Sequence, residues 1–420
     1  MGQPIIGITI NYRVSAWGWL QSQEVAATGE RNWGLRDQRL ALQWIQENIA
    51  AFGGDPNKVT IWGESAGAMS VGLHLVAYNG RDDGLFRGAI MESGTPLVTS
   101  SPLSYFQPLY DKLTGLTGCN STSDSLGCLR SVPYDQINSV LNSSALNYGN
   151  TWWPTIDGDI ISEHGSEALA NGHFVKVPLL MGCNSEEGTS FTSVGLNTTE
   201  QLKESLMSGQ SPMTSNIADQ ILQAYPFDNW EPVLKNLGPS WIPPATASYG
   251  TQYRRAATYA GDQTFIANRR LTCQTYASAG IDTFCYRFNT IPAGTSAMLG
   301  ATHYTEIGFV FDNMLGVGYP PVKVPPFQGK GPEYSDLAAL MNGDWISFIH
   351  NGDPNAWDRR KDQALTMGKP VPAFPKYYDC NGTPWDFVYD ANVTSFAEQD
   401  NWRSLGMDLI NSLNLEVFRR

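Results

Sequence analysis

Residues 59–77 read VTIWGESAGAMSVGLHLVA. The opening VTIW is β-branched and aromatic and predicts a short strand, and the close AGAMSVGLHLVA is an apolar run that predicts a helix. Between them stands Gly63-Glu64-Ser65-Ala66-Gly67, a G-x-S-x-G sequence. With a strand running in and a helix running out, the turn must be tight. Both glycines are expected where a Cβ would collide with strand or helix, and the Ser65 hydroxyl is lifted clear of the sheet. The turn also aims the first N–H groups of the helix at whatever the serine attacks, so the Ala66 N–H is the expected oxyanion donor.

The same alternation continues on either side. Ile5, Ile6, Ile8 and Ile10 form a β-branched run that predicts a strand. Residues 36–52 carry Leu40, Trp44, Ile45, Ile49 and Phe52 at helical spacing, stopped by Gly53 and Gly54. Residues 85–94, 177–182 and 282–288 predict further strands, and 335–349 a late helix. Strands alternating with helices indicate an α/β architecture, a mostly parallel sheet with helices on both faces. The stretches 99–175 and 195–265 have the texture of loops and short helices. They are expected to be insertions over the functional end of the sheet, leaving residues 1–420 one domain.

Composition narrows the function. The 420 residues are 42% apolar and 16% charged, which allows a sizeable core and argues against disorder as a whole-chain description. A net charge of −13 argues against nucleic acid and anionic membrane surfaces as partners. No apolar run approaches the ~18 residues needed to span a bilayer. Residues 1–13 show neither the basic flank nor the small-residue cleavage site of a secretory signal. The six cysteines form no CxxC pair, which excludes zinc ribbons and thioredoxin-like motifs. Cys119 and Cys128 close a short polar loop and are expected to form a disulfide, with Cys273 and Cys285 a second candidate pair. Sequons at Asn120, Asn142, Asn197, Asn381 and Asn392, with that disulfide, favour an oxidising, secretory compartment.

A serine hydroxyl is a poor nucleophile without a base to take its proton and an acid to orient that base. After a strand–turn–helix serine the chain order is serine, acid, histidine. Of the five histidines, His74 lies on the helix after Ser65, and His164 and His173 precede any acid placed after the strand at 177–182. His350 sits at a helix end, where it would cap carbonyls. His303 lies in the loop 292–309 beyond the strand 282–288, where a base belongs. The acid falls in MGCNSEEGTSF (181–191), at Glu186 or Glu187, and residue chemistry leaves the two open. Trp152, Trp153, Phe309 and Phe311 are candidates to line an apolar substrate site.

At this point NYRVSAWGWL (11–20), GLRDQRLALQWIQENIAAFGGDPNKVTIWGESAGAMSV (34–71), MESGTP (91–96), MGCNSEEGTSF and GATHYTEIGFVF (300–311) resemble the type-B carboxylesterase/lipase family over almost the whole chain. The resemblance implies the α/β-hydrolase fold and hydrolysis of carboxylic esters or lipids through an acyl-enzyme. It implies a triad of Ser65, Glu187 and His303, because the family's acid stands directly before the glycine. Glu64, Ser93 and Glu306 would form the inner hydrogen-bond set around the base, and Cys119–Cys128 matches a short family disulfide. A small-molecule ester or lipid is the implied partner, with no metal, organic cofactor or nucleic acid. The competing expectation is an inactive relative acting in binding or adhesion. Such members usually lose a triad residue, and all three are present here.

The sequence departs from the family at its start. The resemblance implies a further N-terminal segment that carries the first strands and a glycine-rich strand end with a second oxyanion donor, between the strands 5–10 and 59–62. The expectation is therefore an N-terminally incomplete domain that either fails to fold or folds poorly with an exposed sheet edge, each buried unpaired backbone group costing about 1–3 kcal/mol. The full-length protein is expected to be secreted.

Overall fold

The structure, a computed structural model, describes residues 2–149, 152–208, 211–227, 248–318, 324–357, 360, 365–366 and 369–420. The strands are β1 Thr60–Glu64, β2 Gly88–Glu92, β3 Leu179–Asn184, β4 Thr283–Phe288, β5 Leu365–Thr366, β6 Lys369–Pro370, β7 Trp385–Tyr389 and β8 Phe396–Gln399. Six make one sheet in the order β1-β2-β3-β4-β7-β8, and β5 and β6 make a small separate ladder. Every neighbouring pair from β1 to β7 is parallel, and β8 closes the far edge antiparallel. β2, β3 and β4 are buried along their whole length, as parallel strands covered on both faces must be.

The period of two along these strands sorts the core. Ala89, Met91, Leu179 and Met181 face one way, against Leu42 and Ile45 of the helix Trp33–Asn48, Val71 and Leu75 of the helix Ala66–Gly80, and Tyr276 of the helix Ala267–Ser278. Ile90, Leu180, Phe284 and Tyr286 face the other way, against Leu337, Met341, Trp345 and Phe348 of the helix Pro332–Asn351. The disulfide Cys273–Cys285 ties the helix Ala267–Ser278 to β4, and Cys119–Cys128 closes its polar loop. The stretches 99–175 and 195–265 each hold helices packed into a further apolar cluster that they share with neighbouring elements. One is built on Phe106, Tyr110 and Leu113, the other on Leu202, Ile217 and Ile221 against Met407 and Ile410.

Two sequence expectations fail here. Residues 2–14 carry no strand, and Ile5, Ile6, Ile8 and Ile10 are exposed. β propensity makes a strand only where a ladder partner stands beside it. This segment instead rests by the helix Pro332–Asn351, whose His350 Nε2 lies 2.8 Å from the Pro4 carbonyl oxygen. β1 is accordingly an edge of the sheet. The stretch 36–52 also divides: the α-helix ends at Asn48 and a 3-10 turn, Ile49–Phe52, follows before Gly53 at φ 82°. Leu42, Ile45 and Ile49 are buried, while Leu40, Trp44 and Phe52 lie on the exposed side. The apolar spacing there spans two faces of the helix, and only one meets the sheet.

Candidate active site

β1 ends at Glu64 and the next helix begins at Ala66, so Ser65 alone makes the reversal, at φ 54° and ψ −117°. A non-glycine residue in such a conformation stores roughly 1–3 kcal/mol, held by its surroundings. The hold is visible: the Ser65 N–H donates to the Glu92 carbonyl oxygen at 2.8 Å, and Ser65 O accepts from Met69 N at 2.9 Å. A Cβ at Gly63 would sit 2.3 Å from the Gly67 carbonyl carbon, so position 63 demands glycine. At Gly67 a Cβ would meet open space, contrary to the sequence reading. The second crowded position is Gly94, where a Cβ would fall 2.6 Å from the Ala68 Cβ.

His303 reaches the serine from the loop after β4. Its Nε2 is 2.7 Å from Ser65 Oγ, and its Nδ1 is 2.6 Å from Glu187 Oε2. Glu187 is fully buried. Its other oxygen, Oε1, accepts from Ser93 Oγ at 2.5 Å and from the Asn184 backbone N–H at 2.7 Å. Two phenyl rings frame the imidazole, Phe265 stacked at 4.8 Å and Phe191 edge-on at 4.9 Å. Burial acts to lower the His303 pKa, but the charge and hydrogen bond of Glu187 and the charge of Glu306 outweigh it, and the net direction is up. Glu186, left open beside Glu187 by the sequence, turns away: its Oε2 accepts from Ala301 N at 3.0 Å. Burial pushes Glu186 up to about 8, against the pull of Arg254.

Three more carboxylates crowd this end of the sheet. Glu64 Oε1 lies 3.3 Å from His303 Nε2. Burial, then Glu306, Glu187 and Glu92, push Glu64 up to about 10. Glu306 Oε2 accepts from Asn184 Nδ2 at 2.5 Å, and burial with the charge of Glu187 raises it to about 7. Glu92, which the sequence reading missed, is fully buried, and its Oε1 accepts from the indole N–H groups of Trp62 at 2.5 Å and Trp345 at 2.8 Å. Burial and then Glu306 raise Glu92 to about 8. The available signal was a lone carboxylate at the end of the otherwise apolar run GAIME, one residue before Ser93.

The structure thus brings Ser65, His303, Glu187, Glu64, Ser93 and Glu306 together, with Ala66 opening the helix and exposed. His74 is buried on its helix against Gln38, 3.1 Å away, and burial lowers its pKa to about 3. His173 pairs with Glu163 at 2.6 Å. Phe309 and Trp152 are core residues, whereas Phe311 is exposed and stacks on Trp62 at 4.9 Å. Asn120, Asn142, Asn197, Asn381 and Asn392 are all exposed. Among the described residues no three His, Cys, Asp or Glu side chains are grouped to hold a metal ion, and no helix is long and apolar enough to cross a membrane. The chemistry on offer is proton transfer from a hydroxyl to an imidazole whose positive form a buried carboxylate stabilises.

Comparison with known proteins agrees in kind. The profile of the carboxylesterase family matches residues 1–384. Secreted lipase 1 of Botryotinia fuckeliana is 34% identical over 374 residues, 84% of this chain and 60% of that protein. Lipase 4 of Diutina rugosa is 31% identical over 425 residues, 98% of this chain and 69% of that one. Secreted triacylglycerol lipase LIP1 of Gibberella zeae is 33% identical, over 84% of this chain and 58% of that one. Among solved structures, Aspergillus niger EstA superposes with a TM-score of 0.80 at 27% identity, covering 98% of this chain and 74% of its own. The Geobacillus stearothermophilus carboxylesterase EST55 gives 0.69 at 27% identity, covering 94% and 73%. The chain spans 58 to 69% of the length of the three lipases.

Proposed function

Because this chain belongs to the carboxylesterase family and has its α/β-hydrolase fold, we propose that it hydrolyses carboxylic esters through an acyl-enzyme on Ser65. The observation that carries the reading is the unbroken hydrogen-bonded line from Ser65 Oγ through His303 to Glu187, at 2.7 and 2.6 Å. His303 Nε2 takes the hydroxyl proton as Oγ bonds to the ester carbonyl carbon. The negative oxygen that forms accepts from the Ala66 N–H. His303 then gives its proton to the alcohol oxygen as the ester C–O bond breaks. Water repeats the sequence on the acyl-enzyme, releasing the acid and restoring Ser65. Glu187 fixes the imidazole tautomer and stabilises its charged form throughout. Ser93 and Asn184 hold the second Glu187 oxygen, so the carboxylate cannot rotate away.

Residues 1–420 act as one domain in this reading, with 99–175 and 195–265 as insertions over the site. A secreted, glycosylated protein is supported by relatives named as secreted lipases, by two disulfides and by five exposed sequons. Esters of fatty acids are the substrate class that the lipase relatives favour.

The test is hydrolysis of p-nitrophenyl acyl esters of short and long chain by the intact chain and by Ser65→Ala. The variant is expected to lose about 10⁶-fold in kcat, the scale on which a triad serine acts. Equal rates in the two proteins would remove the assignment.

A further inference from the structure

Resting on that reading, we infer that Asn184 is a positioning residue, a clamp that ties the carboxylate of the acid to both flanks of the base, beside the Glu186–Ala301 and Thr189–Thr302 hydrogen bonds that join the two loops further out. Asn184 is the last residue of β3 and is fully buried. Its backbone N–H donates to Glu187 Oε1 at 2.7 Å. Its side-chain Nδ2 donates to the Thr302 carbonyl oxygen at 2.7 Å and to Glu306 Oε2 at 2.5 Å. Thr302 directly precedes His303 and Glu306 follows it closely. One residue therefore grips the carboxylate of the acid and both flanks of the base.

The chemistry at position 184 selects an amide. An amide nitrogen carries two protons, and both are used here. The amide oxygen has no hydrogen-bond partner among the described residues. Asn184 thus serves as a donor, and aspartate, of the same shape, supplies no proton when ionised. Without the donor, the Thr302 carbonyl and Glu306 lose a buried partner, and the angle between Glu187 and the imidazole loosens. A displacement of about 1 Å costs about 10²-fold in rate.

The clamp also reaches the titration of the base. His303 is faced by Glu187, Glu64 and Glu306, and Glu306 is faced in turn by Glu64, Glu92, Glu187, Tyr286, Tyr304 and Cys183. The Asn184 hydrogen bond favours ionised Glu306, and ionised Glu306 raises His303. Removing the amide lets Glu306 keep its proton to higher pH, so the His303 pKa falls.

The experiment uses the intact chain, with kcat and KM on a p-nitrophenyl ester and the His303 pKa from an NMR titration of the imidazole. Asn184→Ala is expected to lose about 10²-fold in kcat with KM unchanged, and to titrate His303 at lower pH than the parent. Asn184→Asp, equal in shape, is expected to lose kcat as well, which separates donation from packing if the alanine variant does not fold. Glu306→Gln should also lower the His303 pKa, and Asn184→Ala added to it should lower it little further. Parent-like kcat and an unmoved His303 pKa in either Asn184 variant would overturn the clamp. A parent chain that hydrolyses no ester would sink the proposed function instead, while the His303 pKa would still decide on Asn184.

Discussion

Where β7 and β8 close the sheet, Asp386 and Asp400 share their burial with Arg269 and Arg270. Where β1, β2 and β3 end, Glu64, Glu92, Glu187 and Glu306 share theirs with His303, two indoles, a hydroxyl and an amide. Asp400 accepts from Arg269 at 3.0 Å, from Arg270 at 2.6 Å and from the Tyr377 hydroxyl at 2.9 Å. Burial alone would raise Asp400, but the two guanidinium groups hold it at about 2. Asp386, 3.6 Å from Arg269, is pushed the other way to about 8 by burial and by Asp400. Glu92, just as buried and bonded to two indoles, also stands near 8. Hydrogen bonds from two fixed cations lock a buried carboxylate in its charged form, as at Asp400 but not at Asp386, which suits a strut. Neutral donors leave it able to hold a proton in the range where a histidine works, which suits a site that moves one.

The largest expected contrast is Glu187→Gln against Asp400→Asn. The first should cost about 10⁴-fold in kcat, as loss of an orienting carboxylate does in a triad. The second should leave kcat per folded molecule unchanged, so a comparable loss in both would erase the distinction between strut and site. Asp400→Asn should instead lower stability by about 3–5 kcal/mol, the penalty for stripping one partner from a buried ion pair. Urea unfolding measures it.

The next contrast is in pH. The base must be neutral to act, and its carboxylate neighbours raise its pKa above the ordinary 6.5. The kcat/KM profile should therefore fall on the acid side with a midpoint above that value, and a midpoint below it would show that burial wins over Glu187. The smallest effect belongs to Glu92→Gln. Glu92 ionises near 8 when folded and near 4.3 in an unfolded chain. Its raised pKa means a stability present at low pH that is lost as pH rises toward 8. The glutamine variant should match the parent in melting temperature at pH 4 and exceed it at pH 8.

The turn around Ser65 was legible because strand, glycine and helix lie within one short stretch, and local sterics decide its shape. The strands β2, β3 and β4 were legible for the same reason, since a fully buried strand shows as an apolar run. The Ile5–Ile10 segment misled because propensity is local and a ladder partner is not. Glu186 and Glu187 are chemically identical, and only the direction in which the loop turns separates them, so the choice rested on family resemblance. Glu92 and Asn184 escaped notice because their partners, Trp345 and Thr302, are distant in sequence and meet them only in the fold.

The central claim is that the Ser65 hydroxyl surrenders its proton to His303. The most direct measurement is mass-spectrometric mapping of a fluorophosphonate adduct on the intact chain across pH. One adduct is expected, on Ser65, forming at a rate that rises with pH, with its midpoint above 6.5, and vanishing in His303→Ala. An adduct on another residue, or labelling of Ser65 that ignores both pH and the loss of His303, would contradict it.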